Sequence, residues 1–471
     1  MSFPSAAAPA GTSRQSIPSE AVPAVHGGVE RELWWIRVIL GFCFLATLAL
    51  SWRLWLSSGR DYPLVPVIDG LPQPPFPLDW VLLAGMAGAL VGMSFARRPR
   101  PYAIAVLAIM AVWLALDQTR WQPYVLTYLA GTVCVLLGDS SAVRAPGHPP
   151  SRWHMAPFQL SLCAIYFYSG THKLNVRFLQ NGFPSWMNPF TDRLGLDPES
   201  IPRLLFWPGV AAAAGEAAMG LALLWPRTRR PAVVGLTLMH AYIMLVLGRM
   251  GLAGNSVVWP WNVMVVATLW LLFWPRGAGA RLDGFIRAWW RGMRGRAAGA
   301  AAVPRPLKLA WGGVIVLFGL LPALSFAELW DASLSFQLYA GKHRNVRIYY
   351  PPGQRAALPP AMLRFEHKPG EVSLTRWAMR ELNVVPVMET RVVTRIGREL
   401  ARRAPDADVR VVIAGPPALV SGQRGYRSFA FHGPAKHPRE IANEREIPGI
   451  GPTRRPAVDG SKTPQAETQR R

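Results

Sequence analysis

The feature that most constrains this chain is a series of nine long apolar runs separated by short polar segments. A helix needs about 20 mainly apolar residues, with a range of about 17–25, to cross the hydrocarbon core of a bilayer. A single run such as 124–137 would also suit a buried helix of a soluble protein, but nine in one chain predict an all-α polytopic membrane bundle. The nine runs are 33–50, 80–95, 102–116, 124–137, 155–174, 204–225, 232–247, 257–273 and 309–327.

Composition agrees with a membrane protein. Only 17% of the residues are charged, against about 25% in an average soluble protein. The chain has 20 tryptophans, whose amphipathic rings favour the boundary between lipid and water. The net charge of +24 comes from basic residues that fall between the apolar runs. This distribution indicates loops beside anionic lipid headgroups and excludes nucleic acid as the expected partner.

The placement of Lys and Arg in short loops predicts the orientation of the bundle. It puts the N-terminus in the cytoplasm and, after nine crossings, the C-terminus outside, in a bacterial-type plasma membrane. The most basic loop, 276–308, is predicted either as an amphipathic helix lying on anionic headgroups or as a solvated topology signal. All three cysteines lie inside apolar runs, which excludes a disulfide framework and a cysteine-based metal site.

The chain divides into four predicted parts. The parts are a disordered arm (1–30), the transmembrane domain (31–327), a small extracytoplasmic α+β domain (328–432) and a disordered basic tail (433–471). Within the α+β domain, strands are predicted over 334–341, 345–352 and 409–415. One helix is expected to start after Ser373, which is a suitable N-cap, and a second to run over 387–403.

The run 155–174 carries the most informative residues, because its end reads YFYSGTHKLN. Ionisable side chains inside a membrane are costly and therefore point to function. On a helix, Tyr166, Gly170 and Lys173 share one face, and Ser169 lies one turn before His172 and Lys173. The alternative is that Lys173 extends its ammonium to the headgroups and has no other role.

Two further ionisable residues lie in later runs. Glu216 is in the middle of AAAAGEAAMG, where a carboxylate must be protonated or paired. Lys173 is its candidate partner, and the pair either serves function or only holds the bundle together. His240 is first interpreted as a hydrogen-bonded packing residue. Asn262 is expected to bond across helices, and no histidine has the spacing of a metal ligand.

The segment YFYSGTHKLN resembles the YxxxGxxKL signature of HTTM-domain proteins, a family that includes the vitamin K-dependent γ-carboxylase. The resemblance extends to Glu216 in the next span and His240 in the span after it. It covers roughly residues 30–275 and, more loosely, continues to 430. The family is one of polytopic helical membrane proteins.

The resemblance implies an activity. Lys173 falls at the lysine that acts as the base toward reduced vitamin K, with His240 and Glu216 near the catalytic site. Tyr166, Ser169 and His172 are then expected to contact the substrate. The implied cofactor is a reduced quinone such as vitamin K hydroquinone, and the implied partner is a protein substrate on the extracytoplasmic side.

Two functions from different classes follow. The first is a membrane carboxylase or epoxidase that depends on a hydroquinone and uses Lys173 as its base. The alternative is a non-catalytic membrane protein that binds lipid, a quinone or a partner protein, with Lys173 and Glu216 fixing the bundle. A transporter is a third possibility, against which the lack of a detectable inverted repeat counts.

Overall fold

The computed structural model describes residues 21–138, 152–197, 199–248, 255–275, 282, 305–337, 339–342, 344–416, 418, 425–431 and 439–441.

Within those residues the chain is mostly helical, followed by a small antiparallel sheet. The longer helices before the sheet are α1 (Ala21–Leu50), α2 (Leu78–Phe95), α3 (Arg100–Leu116), α4 (Pro123–Gly138), α5 (Ala156–Lys173), α6 (Phe183–Thr191), α7 (Phe206–Ala222), α8 (Arg229–Leu247), α9 (Val258–Phe273) and α10 (Arg305–Val314). Helix α10 continues through a π-helical turn, Ile315–Leu320, to the short helix Leu321–Leu324.

Part of the bundle is long and apolar enough to cross a membrane. Four helical stretches among the described residues meet that requirement by length and composition: Glu30–Leu50, Leu78–Phe95, Arg229–Leu247 and Arg305–Ala327. Helices α3, α4 and α9 are apolar but shorter. Each of the nine predicted runs overlaps a helix. Nine crossings are nevertheless not confirmed, because several of these helices are short or, like α5 with its buried polar residues, less apolar.

Two predicted boundaries are wrong. Helix α1 begins at Ala21, inside the segment predicted as a disordered arm to residue 30; residues 1–20 lie outside the described part of the chain. Helix α10 begins at Arg305, inside the predicted loop 276–308. Apart from Leu282, residues 276–304 lie outside the described residues, and the predicted amphipathic helix lies among them.

Helices α5 and α7 pack with their backbones unusually close. A Cβ atom on Gly170 of α5 would lie 2.4 Å from the backbone nitrogen of Ala217 on α7. A Cβ atom on Gly220 of α7 would lie 2.7 Å from the backbone nitrogen of Phe167 on α5. Small residues at such crossings allow backbones to approach within membranes. These two glycines therefore fix the distance between the helices that carry Lys173 and Glu216.

The C-terminal domain is a six-stranded antiparallel sheet of order β2-β3-β1-β4-β5-β6 with helices against it. Its strands are β1 (Asn345–Tyr349), β2 (Glu366–Lys368), β3 (Glu371–Ser373), β4 (Val409–Ala414), β5 (Tyr426–Phe431) and β6 (Arg439–Ile441). The helices are α11 (Leu374–Glu381), which contacts β1, and α12 (Thr390–Arg403), which contacts β4 and β5. The predicted sheet with helices is confirmed, including Ser373, whose side chain accepts a hydrogen bond from the Arg376 backbone as an N-cap.

Two predictions for this part of the chain are wrong. The described residues of 334–341 do not form a strand: Ser333–Ser335 is a turn of 3₁₀ helix. Phe336 and Tyr339 have positive φ angles of 58° and 54°, which interrupt an extended chain. Strand β6 lies in the predicted disordered tail and pairs with β5; residues 442–471 lie outside the described residues.

The C-terminal domain is docked on one end of the bundle. The Glu381 carboxylate accepts hydrogen bonds from the backbone nitrogens of Asp61 and Tyr62, at 2.6 and 2.9 Å. The Asn383 side-chain amide donates to the Leu50 carbonyl at 2.9 Å and to the Ser256 hydroxyl at 2.8 Å. Since Leu50 ends α1 and Ser256 lies just before α9, the domain covers the end of the bundle where these segments meet.

Candidate functional site

Lys173 and Glu216 form a direct ion pair between α5 and α7. The Lys173 Nζ atom lies 2.6 Å from Glu216 Oε2 and 2.9 Å from the Ser169 hydroxyl oxygen, one helical turn earlier. The two side chains keep only 13% and 8% of their surface exposed. The pairing predicted from sequence is therefore confirmed, and the close approach at Gly170 explains how a short contact forms between the two helices.

A second polar chain lies beside this pair and joins α5, α8 and α9. The Tyr166 hydroxyl lies 2.7 Å from His240 Nε2, and His240 Nδ1 lies 2.5 Å from Asn262 Oδ1. The Asn262 amide nitrogen donates to the Val258 carbonyl, so its oxygen is the atom that faces His240. An amide oxygen only accepts. The proton of the neutral imidazole therefore sits on Nδ1, and Nε2 accepts from Tyr166.

The Lys173–Glu216 pair and the Tyr166–His240–Asn262 chain surround one small cavity of about 40 Å³. Its polar wall is made of Tyr166, Ser169, Lys173, Glu216, His240 and Asn262, and its apolar wall includes Val258, Trp261 and Tyr339. A cavity of this volume has room for a few water molecules, which would be held at its polar wall. The structure thus brings together five of the six predicted site residues around one space, and Asn262 with them.

His172 is the predicted site residue that the structure keeps apart. Its Nε2 atom lies 3.1 Å from the Ser325 hydroxyl, and its ring stacks on Phe326 with a centroid distance of 4.2 Å. The side chain is fully buried and does not line the cavity beside Lys173. The predicted contact of His172 with a substrate at Lys173 is therefore not supported, because successive helical residues point to different faces.

A larger chamber of about 350 Å³ lies between the bundle and the C-terminal domain. It shares Val258, Trp261 and Tyr339 with the small cavity. These three side chains therefore form the boundary between the chamber and the Lys173–Glu216 pair. Sequence analysis missed them, since Tyr339 was assigned to a strand and the two α9 residues carried no charge that would mark them.

The two cationic side chains around the chamber differ in their ion pairs. Arg344 forms ion pairs with Glu389 and with Glu328, the second at 3.2 Å. Lys342 is buried, and its Nζ lies 5.1 Å from the centroid of the Phe326 ring. Burial lowers the pKa of Lys342, and the nearby Glu328 carboxylate opposes that effect. Its ammonium has no hydrogen bond or ion pair with any residue that the structure describes.

The described residues contain no group of three His, Cys, Asp or Glu side chains that could hold a metal ion. No protein-family model matches the chain, and neither a curated protein nor a solved structure matches it significantly.

Proposed function

We propose that this chain is an integral membrane enzyme that removes a proton from its substrate with the Lys173–Glu216 pair. The observation that carries the proposal is the pair itself, buried at 2.6 Å and facing a cavity that borders a larger chamber. Ionisable residues within a bundle are costly and mark functional sites. The neighbouring Tyr166–His240–Asn262 chain supplies further groups that can transfer a proton to or from the cavity.

The chemistry follows from the two groups acting as a unit. A buried ammonium and carboxylate in contact share one proton, which sits on either the amine or the carboxylate. In both arrangements one basic atom stays free, so the pair can take up one proton from a substrate in the cavity. The Ser169 hydroxyl, 2.9 Å from Nζ, orients the amine. A proton acceptor of this kind typically contributes about 10²–10⁴-fold to a rate.

The membership of the HTTM family, suggested by YFYSGTHKLN, is part of the proposal. So are nine crossings of a bacterial-type plasma membrane, a cytoplasmic N-terminus and an extracytoplasmic C-terminal domain. The loop charges support this orientation, and the docked domain then lies over the end of α5 that carries Lys173. In the carboxylase form of the proposal, a protein substrate would approach from the same side.

The fit of a reduced quinone to these residues is limited. The cavity beside Lys173 measures about 40 Å³, while pockets for organic ligands have about 300–1,000 Å³. A bicyclic ring therefore does not fit against Lys173 as Trp261 and Tyr339 now stand, and we propose no step through a quinone. The chamber of about 350 Å³ is large enough for such a ring.

Oxygen uptake with added vitamin K hydroquinone tests the carboxylase or epoxidase form of this proposal. That form requires Lys173→Met to lower hydroquinone-dependent uptake by about 10²-fold or more, while the exposed Lys308→Met control keeps the rate of the original protein. Equal rates in Lys173→Met and the control, with both proteins folded, would remove Lys173 from the chemistry.

A non-catalytic membrane protein is the second candidate. The close packing of Gly170 and Gly220 between α5 and α7 favours it, because a pair at such a crossing can serve to hold two helices in register. Under this alternative the chain binds lipid, a quinone or a partner protein, and no reaction depends on Lys173.

A further inference from the structure

The chamber between the bundle and the C-terminal domain has the composition of a ligand site. Its volume of about 350 Å³ is within the range of small-molecule pockets, about 300–1,000 Å³. Five aromatic side chains line it together with apolar, polar and charged residues: Tyr124, Trp261, Phe326, Trp330 and Tyr339. The aromatic part of the wall suits an apolar body, and the polar and charged groups decide which head group is accepted.

Lys342 lines this wall without a direct ion pair to any described residue, although the nearby Glu328 carboxylate opposes the effect of burial and raises its pKa. Its side chain is only 8% exposed and lines the chamber. The centroid of the Phe326 ring lies 5.1 Å from Nζ. Nζ is not among the fully buried unpartnered atoms, so the ammonium keeps accessible surface with which it can donate to an acceptor on a ligand. Arg344, the neighbouring cation, is already engaged by Glu328 and Glu389.

Hydrogen-bond donors on the same wall are also unpartnered. The Tyr124 hydroxyl and the indole nitrogens of Trp261 and Trp330 are buried and have no hydrogen-bond partner in the described structure. Buried polar groups are normally satisfied, and exceptions call for a ligand or a water. Indole N–H groups and an ammonium only donate. The three unpartnered atoms have almost no accessible surface, so an acceptor in the chamber reaches them only when their side chains turn toward it.

We propose that this chamber binds a small organic anion, a carboxylate or similar acceptor group on an apolar body, with Lys342 as its counter-ion. The anionic head lies toward Lys342, and the apolar body lies among the aromatic side chains. The inference rests on the proposed function in one respect: the bound anion is the substrate that passes Trp261 and Tyr339 to reach Lys173. Binding itself does not depend on that chemistry.

The test compares 4-phenylbutyrate with its neutral counterpart 4-phenylbutanol, using the purified full-length protein in phosphatidylcholine nanodiscs. Thermal stabilisation and tryptophan fluorescence report binding of either compound. The variants are Lys342→Met and, as a matched control in the same domain, the exposed Lys368→Met. Hydroquinone-dependent oxygen uptake, measured separately on the original protein, tests the proposed reaction, so anion binding and that reaction can fail independently. Oleate placed in the nanodisc membrane tests whether the anion comes from the lipid phase.

We expect saturable binding of 4-phenylbutyrate or oleate to the original protein. Lys342→Met should bind the anion with about 10-fold lower affinity, a loss of about 1.4 kcal/mol in binding free energy. The alcohol should bind both proteins alike, and Lys368→Met should bind as the original protein does. Without ligand, Lys342→Met should be as stable as the original protein or more so, because an unpaired buried charge is removed. The inference is overturned if neither anion binds, or if Lys342→Met binds the anion with full affinity.

Discussion

At the scale of single residues, charge inside apolar runs was the most reliable signal. Lys173 and Glu216 stand out in the sequence because each is an ionisable side chain within an apolar stretch, and their pairing was predicted for that reason. The Asn262 amide was expected to bond across helices, and it does so to His240; the identity of that partner was not predicted. Lys342 carried no such signal, because it lies in a polar stretch and its burial is visible only in the folded structure.

The ion pair makes a quantitative prediction. Lys173→Met or Glu216→Gln alone leaves a buried partner group unpaired, which typically costs about 3–5 kcal/mol of stability. We expect the double variant to recover most of that loss, because no unpaired charge remains. Unfolding in detergent, measured for the original protein and all three variants, gives the coupling energy. If the double variant shows the plain sum of both losses, the two groups do not interact.

At the scale of elements, the sequence predicted helices and strands better than the contacts between them. The residue types at 345–352 indicated β1, the buried-strand pattern at 409–415 indicated β4, and Ser373 indicated the start of α11. Arg120, by contrast, was assigned to a loop. It is fully buried and donates to the carbonyls of Leu54 and Trp113 at 2.9 and 3.1 Å. No local pattern reveals that role, because its acceptors are the last carbonyls of other helical segments.

The crossing of α5 and α7 gives a prediction at this scale. A methyl group at Gly170 would lie 2.4 Å from the Ala217 backbone nitrogen, so Gly170→Ala forces the helices apart. We expect lower thermal stability and a weaker Lys173–Glu216 contact. Gly215→Ala is the matched control, since a Cβ atom there meets nothing within 4 Å and alanine favours helix by about 1 kcal/mol.

Circular-dichroism melts of both alanine variants in the same detergent check this prediction. Gly215→Ala should melt at or above the temperature of the original protein, and Gly170→Ala below it. Equal melting temperatures for the two variants would mean that the close approach at Gly170 does not set the spacing of the helices.

At the scale of the whole molecule, the division into a helical bundle and a small sheet domain was predictable from hydropathy and alternation. The chamber between them was not, because its wall combines residues that are far apart in the chain, such as Tyr124, Lys342 and Met388. Docking depends on contacts such as Glu381 with the loop at Asp61, 320 residues earlier. Tertiary contacts of this separation leave no periodic mark in a sequence.

The central claim is that Lys173 lies at the end of a path that starts in the chamber and passes Tyr339. Its most direct test is the reactivity of Lys173→Cys toward a small membrane-impermeant thiol reagent in sealed vesicles. The protein for this test has Cys43, Cys134 and Cys163, all buried, replaced by alanine. His367→Cys, on the exposed surface of the C-terminal domain, is the reference.

We predict that Lys173→Cys reacts from the same side of the membrane as His367→Cys, more slowly, and that adding Tyr339→Ala speeds its reaction without changing that of His367→Cys. Reaction from the opposite side, or a rate at position 173 equal to that of the exposed reference, would contradict the account.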